Sequence, residues 1–195
     1  MYRQDETVVG GGVAGNARLT GAVAAALLVL LAAEGVTIPF IGSLLGPHIF
    51  IGMLLIPPVA LKLASTGYRF ARYYTGSPPY VRKGPPHAVL RFLAPGVVLT
   101  TLALFGTGVA LLIAGPPSNT LIFAHKVSFI AWVVLMTVHV LGHLIEMPAL
   151  ALPDWRRGGE ARLAGAGLRI MAVGSTVLGG VVVAALTLSV ARPWL

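Results

Sequence analysis

The chain has 195 residues, of which 56% are hydrophobic and only 10% are charged. Soluble domains carry about 25% charged residues, so this composition predicts an integral membrane protein. The chain contains no cysteine, which excludes disulfide bonds, thiolate nucleophiles and cysteine-held cofactors. The net charge is +8, but the basic residues lie in loops between apolar segments. This favours membrane orientation and contact with lipid headgroups over binding to nucleic acid.

Five apolar segments are long enough to cross a bilayer as helices, because a spanning helix needs about 20 mainly apolar residues. Their predicted bounds are 19–38, 44–70, 89–114, 120–147 and 163–190. Segments rich in glycine and proline separate them. The pattern predicts an all-α membrane bundle of five transmembrane helices. We expect three parts in the chain: a polar N-terminal segment (1–18), a single transmembrane domain (19–190) and a short C-terminal tail (191–195).

Basic residues cluster around two loops on one side of the predicted bundle. The clusters surround the second and fourth loops and comprise Arg69, Arg72, Arg82, Lys83, Arg91, Arg156, Arg157, Arg162 and Arg169. Loops on the other side carry almost none, and Lys126 is the main exception. Because cytoplasmic loops are enriched in lysine and arginine, this predicts a cytoplasmic N-terminus and an external C-terminus. We expect a multi-pass protein in the plasma membrane of a bacterium.

The five histidines fall into two groups by predicted depth. His48 and His125 lie near the outer face, whereas His87, His139 and His143 lie toward the cytoplasmic face. His125 and His139 are fourteen residues apart, which on one helix is about 21 Å along the axis and roughly 40° around it. Histidines inside membrane helices are costly and usually functional. Since a b-type haem needs two imidazoles at one depth, the pattern predicts a four-helix haem-binding core with two haem sites.

The outer site pairs His48 with His125, and the inner site pairs His87 with either His139 or His143. His139 gives the more buried inner site, and His143 matches the shallow depth of His87 better. We take His139 as the predicted ligand and keep His143 as the alternative, or as a hydrogen-bonding neighbour of a propionate or a quinone. Several basic residues are candidate partners of the haem propionates: Lys126 at the outer site, and Arg69, Arg72 and Arg91 at the inner site.

Two histidines on one helix with thirteen residues between them, and partners on neighbouring helices, resemble the bacterial membrane dihaem b-type cytochromes. These include the cytochrome b subunits of hydrogenases and formate dehydrogenases and their four-helix relatives. The resemblance covers residues 44–147, and segments 47–50, 66–69 and 83–87 look like an actinobacterial-type member. It implies transmembrane electron transfer, often between quinone and a redox partner.

Many relatives carry a second histidine fourteen residues after the one at position 48, where this chain has Lys62. The inner haem therefore depends on His87, and the protein holds one haem if His87 is not a ligand.

Two other functions remain open from the sequence. His139 and His143 have the i, i+4 spacing that suits zinc or copper on one helix face, which would indicate metal-ion binding or transport. A helical subunit that anchors a larger complex without a cofactor is the other alternative. The chain lacks a Ser-His-Asp set and a phosphate loop, so an electron-transfer protein or oxidoreductase subunit is favoured over a stand-alone enzyme. The expected partners are the lipid bilayer, a quinone or redox protein, and a second copy or larger complex.

Overall fold

The computed structural model describes residues 11–85, 87–116, 118–155 and 163–195, and these residues form helices and no strand. The helices in chain order are α1 (Gly12–Thr37), α2 (Ile41–Tyr74), α3 (Pro78–Lys83), α4 (Ala88–Ala114), α5 (Asn119–His143), α6 (Met147–Ala151) and α7 (Ala166–Ala191), followed by a 3₁₀ turn (Arg192–Trp194). Five of these helices, α1, α2, α4, α5 and α7, are long and apolar enough to cross a membrane. The predicted all-α bundle with five membrane-spanning helices is therefore confirmed.

The ends of the helices differ from the predicted bounds in two places. α1 begins at Gly12, so the described part of the predicted polar segment belongs to the first helix. Its polar side chains find partners there, since Asn16 donates to the backbone oxygen of Ser65. α5 ends at His143, and the short helix α6 follows with Pro148 in its first turn, where the missing N–H is tolerated. Residues 1–10 and the loop arginines Arg156, Arg157 and Arg162 lie outside the described residues.

α2 is interrupted close to its start. Leu44 has φ −113° and ψ 22°, outside the helical region, and Pro47 follows within one turn. Proline lacks the N–H that a helix interior needs but is tolerated in a first turn. The break therefore separates a short opening turn from the long part of α2 and places His48 near the beginning of that long part.

Three helices, α1, α2 and α7, pack closely around the buried core, and we refer to them as the three-helix group. The core residues are Ala22, Val23, Leu27, Leu55 and Val173. The packing is tight enough that a Cβ atom on Gly180 of α7 would overlap the backbone oxygen of Leu54 on α2. Glycine therefore lets the two backbones touch, as small residues commonly do between membrane helices.

The other two spans, α4 and α5, form an antiparallel pair that we call the two-helix pair. They pack mainly on each other, and α5 has little direct contact with α2. Trp132 of α5 donates from Nε1 to the hydroxyl of Thr101 on α4 at 3.0 Å. None of the residues of α5 is buried. The structure thus combines a closely packed group with a pair that is attached more loosely.

Asp154 links α1 to α7 at the end of the bundle that carries the basic residues. Its carboxylate accepts hydrogen bonds from Arg18 at 3.1 Å and from Arg169 at 2.9 Å, and its side chain is only 3% exposed. Burial alone would raise the pKa of this carboxyl, but the hydrogen bonds and charges of Arg169 and Arg18 bring the pKa below its usual value of 3.8. Arg169, one of the basic residues around the fourth loop and inside the predicted span 163–190, is a buried residue of α7.

Candidate functional site

His48 of α2 and His125 of α5 lie next to each other, between the three-helix group and the two-helix pair. Their ring centres are 6.3 Å apart, and the ring planes are at 81°. Because α2 and α5 are otherwise barely in contact, the two rings bridge a gap between the helices. The sequence predicts that the two residues lie at the same depth in the membrane and share a site. The structure brings their rings together.

Hydrogen bonds determine which nitrogen of His48 carries the proton. Its Nδ1 atom lies 2.9 Å from Oε1 of Glu34 and 3.0 Å from Oγ1 of Thr37. The Thr37 hydroxyl donates to the backbone oxygen of Glu34 at 2.6 Å, so its oxygen accepts from the ring, and an ionised carboxylate can only accept. Nδ1 of His48 therefore carries a hydrogen, and in the neutral ring the lone pair is on Nε2.

His125 is held in the same way by α4. Its Nδ1 atom lies 3.0 Å from the Oγ1 atom of Thr107, and this hydroxyl donates to the backbone oxygen of Ala103 at 2.7 Å. The threonine oxygen thus accepts from the ring, and the lone pair of His125 is on Nε2. A Cβ atom on Gly108 would lie 3.3 Å from Cε1 of His125, so the glycine leaves room for the ring.

This arrangement is the one that metal-bound histidines have, since their second nitrogen almost always donates to a fixed acceptor. Imidazole nitrogens bind metals at about 2 Å, so two imidazoles on one metal ion have ring centres roughly 6 Å apart. The described residues contain no group of three or more His, Cys, Asp or Glu side chains that could hold a bare metal ion. Haem iron needs only two protein ligands, because the macrocycle supplies the others. Two histidines at this ring spacing would be enough to hold a haem iron, and haem binding stays a prediction.

His139 and His143 form a second group deeper along α5. Their ring centres are 4.9 Å apart, and the Nδ1 atom of His139 is buried without a hydrogen-bond partner among the described residues. The ammonium of Lys62 on α2 interacts electrostatically with both rings. Lys62 also donates to the backbone oxygen of Thr20 on α1 at 2.9 Å. His139 and His143 are therefore ring neighbours at this depth.

His87, the predicted partner of this inner group, stands immediately before α4 and is exposed. Its backbone, with φ −49° and ψ 141°, is extended rather than helical. In the parts of the chain that the structure describes, its side chain has no hydrogen bond and no ring contact. The structure does not bring His87 together with His139 or His143, and its role as a haem ligand stays a prediction.

The basic residues predicted to pair with propionates have varied surroundings. Lys126 is exposed beside His125, and Arg69 interacts electrostatically with His143. Arg91 donates to the hydroxyl of Tyr74 at 2.5 Å, and its guanidinium carbon lies 5.5 Å from the centre of that ring. A further arginine predicted for the inner site, Arg72, donates to Oγ of Ser77 at 3.0 Å. Arg72 and Arg91 thus have protein partners, and the propionate contacts stay predictions.

Sequence reasoning missed the residues that hold the two rings, Glu34 and Thr107, although a signal was present for Thr107. In an antiparallel helical hairpin with a short connection, residues equally far from the connection lie opposite each other. Thr107 and His125 are about equally far from the connection between α4 and α5, since Thr107 is seven residues before the end of α4 and His125 is six residues after the start of α5. Glu34 is three residues before the end of α1, whereas His48 is seven residues after the start of α2. Counting from the turn would therefore have found Thr107 but not Glu34.

No protein-family model matches this chain, and no curated protein or solved structure is similar to it. The resemblance to dihaem b-type cytochromes therefore stays a prediction from the histidine spacing and the quoted segments. The geometry of His48, His125 and their acceptors is the basis on which a function can be proposed.

Proposed function

We propose that the protein is a membrane b-type cytochrome that binds haem between His48 and His125 and carries electrons. The observation that supports this most directly is the pair of rings 6.3 Å apart, each held through Nδ1 so that the Nε2 lone pair is available. In this proposal the protein lies in a bacterial plasma membrane with its basic loops in the cytoplasm and its C-terminus outside. Electrons are exchanged with a quinone or with a redox partner protein.

The residues around the site have separate tasks in this proposal. His48 and His125, one from each group of helices, would hold the iron. Haem with two protein ligands has no open coordination position, so it supplies one-electron transfer. Glu34 fixes the orientation of His48 and makes its Nε2 a stronger donor, as carboxylate partners of metal-bound histidines do. Thr107 and the space left by Gly108 fix the ring of His125.

A difference spectrum of the purified protein, reduced minus oxidised, tests the proposal. We expect b-type absorbance after expression with a haem supply, and we expect His48→Ala and His125→Ala each to remove the haem of this site. The control is Phe123→Ala, which changes an exposed side chain of α5 near His125 and should retain the haem. Absence of b-type absorbance from the wild-type protein refutes the proposal, and so does full haem retention in both histidine variants.

Metal-ion binding by His139 and His143 is the second candidate, because their rings lie 4.9 Å apart on successive turns. Structural zinc sites have about four protein ligands, and catalytic ones have about three. Those two histidines have no third His, Cys, Asp or Glu close enough among the described residues. Elemental analysis that finds zinc or copper in place of iron would favour this candidate over the cytochrome.

A further inference from the structure

The three-helix group and the two-helix pair are joined by a hydrogen bond at each end of the bundle. At the basic end, Arg91 of α4 donates to the hydroxyl of Tyr74 on α2. At the opposite end, Trp194 lies in the 3₁₀ turn after α7 and donates from Nε1 to the backbone oxygen of Leu111 on α4 at 3.2 Å. Because α4 makes few other contacts with α2 or α7, these bonds determine how the two-helix pair is seated on the three-helix group.

The bond from Trp194 is made on the side of α4 that orients His125. Leu111 is four residues after Thr107, so the two lie one turn apart on the same side of the helix. Thr107 is the residue that holds Nδ1 of His125. The oxygen of Leu111 also accepts from the backbone N–H of Gly115 at 3.1 Å, and a carbonyl oxygen has a second lone pair for Trp194. The part of α4 that holds the ring is therefore tied to the end of α7.

The residues after α7 also reach the helix that carries His48. A Cβ atom on Gly46 of α2 would lie 3.4 Å from Cδ2 of Leu195, so the leucine side chain packs against this glycine. Gly46 is only two residues before His48. Ala191, the last residue of α7, is fully buried, so the segment starts from a fixed point. The segment 192–195 thus contacts both sides of the site.

We propose that the segment 192–195, which we call the clasp, positions His125 against His48, an inference that rests on the proposed function. The clasp joins the end of α7 to α4 through Trp194 and to α2 through Leu195. While it is closed, the two rings stay at the 6.3 Å separation that suits two ligands of one iron. When it is released, α4 and α5 move away from α2, and the two rings can no longer bind the same iron. Trp194 is thus a positioning residue that acts through α4.

Anchoring at the membrane interface is the other common task of a tryptophan at the end of a spanning helix. An anchoring indole directs its N–H to lipid headgroups or water. The N–H of Trp194 instead donates to a helix backbone, and the residue is partly buried. Trp155, at the basic end of the bundle, is 54% exposed and is closer to an anchor. It is therefore the matched control for Trp194.

The first measurement is the distance between the two groups of helices in the purified full chain. Because the chain has no cysteine, spin labels attach only to cysteines that are introduced, and Val36→Cys on α1 with Phe123→Cys on α5 replaces two exposed side chains. Trp194→Phe keeps an aromatic ring and loses the N–H. We expect it to raise the population at longer distance about two- to tenfold, the range for the loss of one hydrogen bond.

Two controls accompany this variant. Trp155→Phe is the same substitution at the opposite end of the bundle and should leave the distance unchanged. Tyr74→Phe removes the bond from Arg91, which joins the same two groups at the basic end, and it should also leave the labelled end unchanged. Leu195→Ala is a second test of the clasp, because it shortens an exposed side chain and should lengthen the distance to a smaller extent than Trp194→Phe.

The second measurement uses the holoprotein and reports on ligation. A haem with two histidine ligands is low-spin and binds carbon monoxide only after one histidine has left. We expect Trp194→Phe to retain its haem, to show a larger high-spin signal in electron paramagnetic resonance, and to bind carbon monoxide about two- to tenfold faster. Trp155→Phe and Tyr74→Phe should match the wild-type protein in all three respects.

Several outcomes would overturn the inference. Unchanged distances in both Trp194→Phe and Leu195→Ala show that the clasp does not hold the groups together, and equal changes in Trp194→Phe and Tyr74→Phe show only a general loss of stability. A longer distance with unchanged carbon monoxide binding shows that the clasp does not position the ligands. A wild-type protein without haem refutes the proposed function itself, and the distances then still decide whether the clasp joins the two groups.

Discussion

The three-helix group and the two-helix pair bury their surfaces in different ways. In the three-helix group, Gly180 brings α7 onto the backbone of α2, and Asp154 joins α1 to α7. In the two-helix pair, α5 has no buried residue and is joined to α4 by hydrogen bonds from Trp132 to Thr101 and between His125 and Thr107. The histidines that we propose as haem ligands lie where these two parts meet. A close-packed group thus serves as the fixed side of the site, and a loosely attached pair supplies the other side.

The largest expected effect comes from breaking the ionic contact of the three-helix group. Asp154→Ala leaves the buried guanidinium of Arg169 and the half-buried one of Arg18 without their shared carboxylate, and removing one partner of a buried ion pair costs about 3–5 kcal/mol. We expect a clear fall in the thermal unfolding midpoint in detergent. An unchanged midpoint would mean that Asp154 contributes little to joining α1 and α7.

The ionic contact of Asp154 should also make the stability of the protein depend on pH. Because the pKa of Asp154 in the folded protein lies below its usual value of 3.8, its stabilisation is complete above that value. It is lost as the pH falls further, through the lower pKa of the folded state. The wild-type unfolding midpoint should therefore drop below pH 3.8 more steeply than that of Asp154→Ala. Parallel pH profiles of the two proteins would contradict this.

A smaller loss of stability is expected when α2 and α7 are pushed apart. Gly180→Ala places a Cβ atom against the backbone oxygen of Leu54, and overpacking of this kind costs about 1–3 kcal/mol. Gly179→Ala is the matched control, because nothing lies near its Cβ position. The thermal midpoint should fall for the first variant and not for the second. Equal midpoints would show that the two backbones are not in firm contact.

The next largest effect, a loss of haem affinity, is expected at the boundary between the three-helix group and the two-helix pair. Glu34→Ala removes one of the two acceptors of His48 Nδ1, the other being Thr37, and should weaken haem binding at the His48–His125 site about tenfold to hundredfold. Thr20→Ala, on the same helix, is the control, because it leaves both acceptors of His48 in place. Haem titration of the apoprotein should thus show a loss only for the first variant. A similar loss in both would contradict a specific role of Glu34.

The smallest effect should come from the two-helix pair. Gly108→Ala brings a methyl group to 3.3 Å from the His125 ring, so the ring must move by a few tenths of an ångström. We expect haem affinity to fall a few-fold, since such a displacement strains the metal–ligand geometry. Gly106→Ala has open space around its Cβ position and should leave affinity unchanged. Identical affinities in both variants would show that the ring position is not critical.

The sequence was sufficient for the five spans and for the nearness of His48 to His125, because hydropathy sets both the spans and the depth of each residue. It was not sufficient for the inner group. Depth alone favoured His87, but hydropathy does not determine how each helix is rotated, and the structure leaves His87 exposed before the start of α4. The acceptors Glu34 and Thr107 were missed for a related reason, since their roles depend on which helices are neighbours.

The scarce contact between α2 and α5 has a consequence for assembly. A group bound by both helices acts as a crosslink between two parts of the bundle that hold each other only weakly. Its binding free energy then becomes part of the folding free energy, so the stability of the bundle rises with the concentration of free cofactor by mass action. In the membrane, a chain made faster than its cofactor would accumulate with the α4–α5 hairpin undocked. Such chains would be the ones open to proteolysis and to mispairing with other helices.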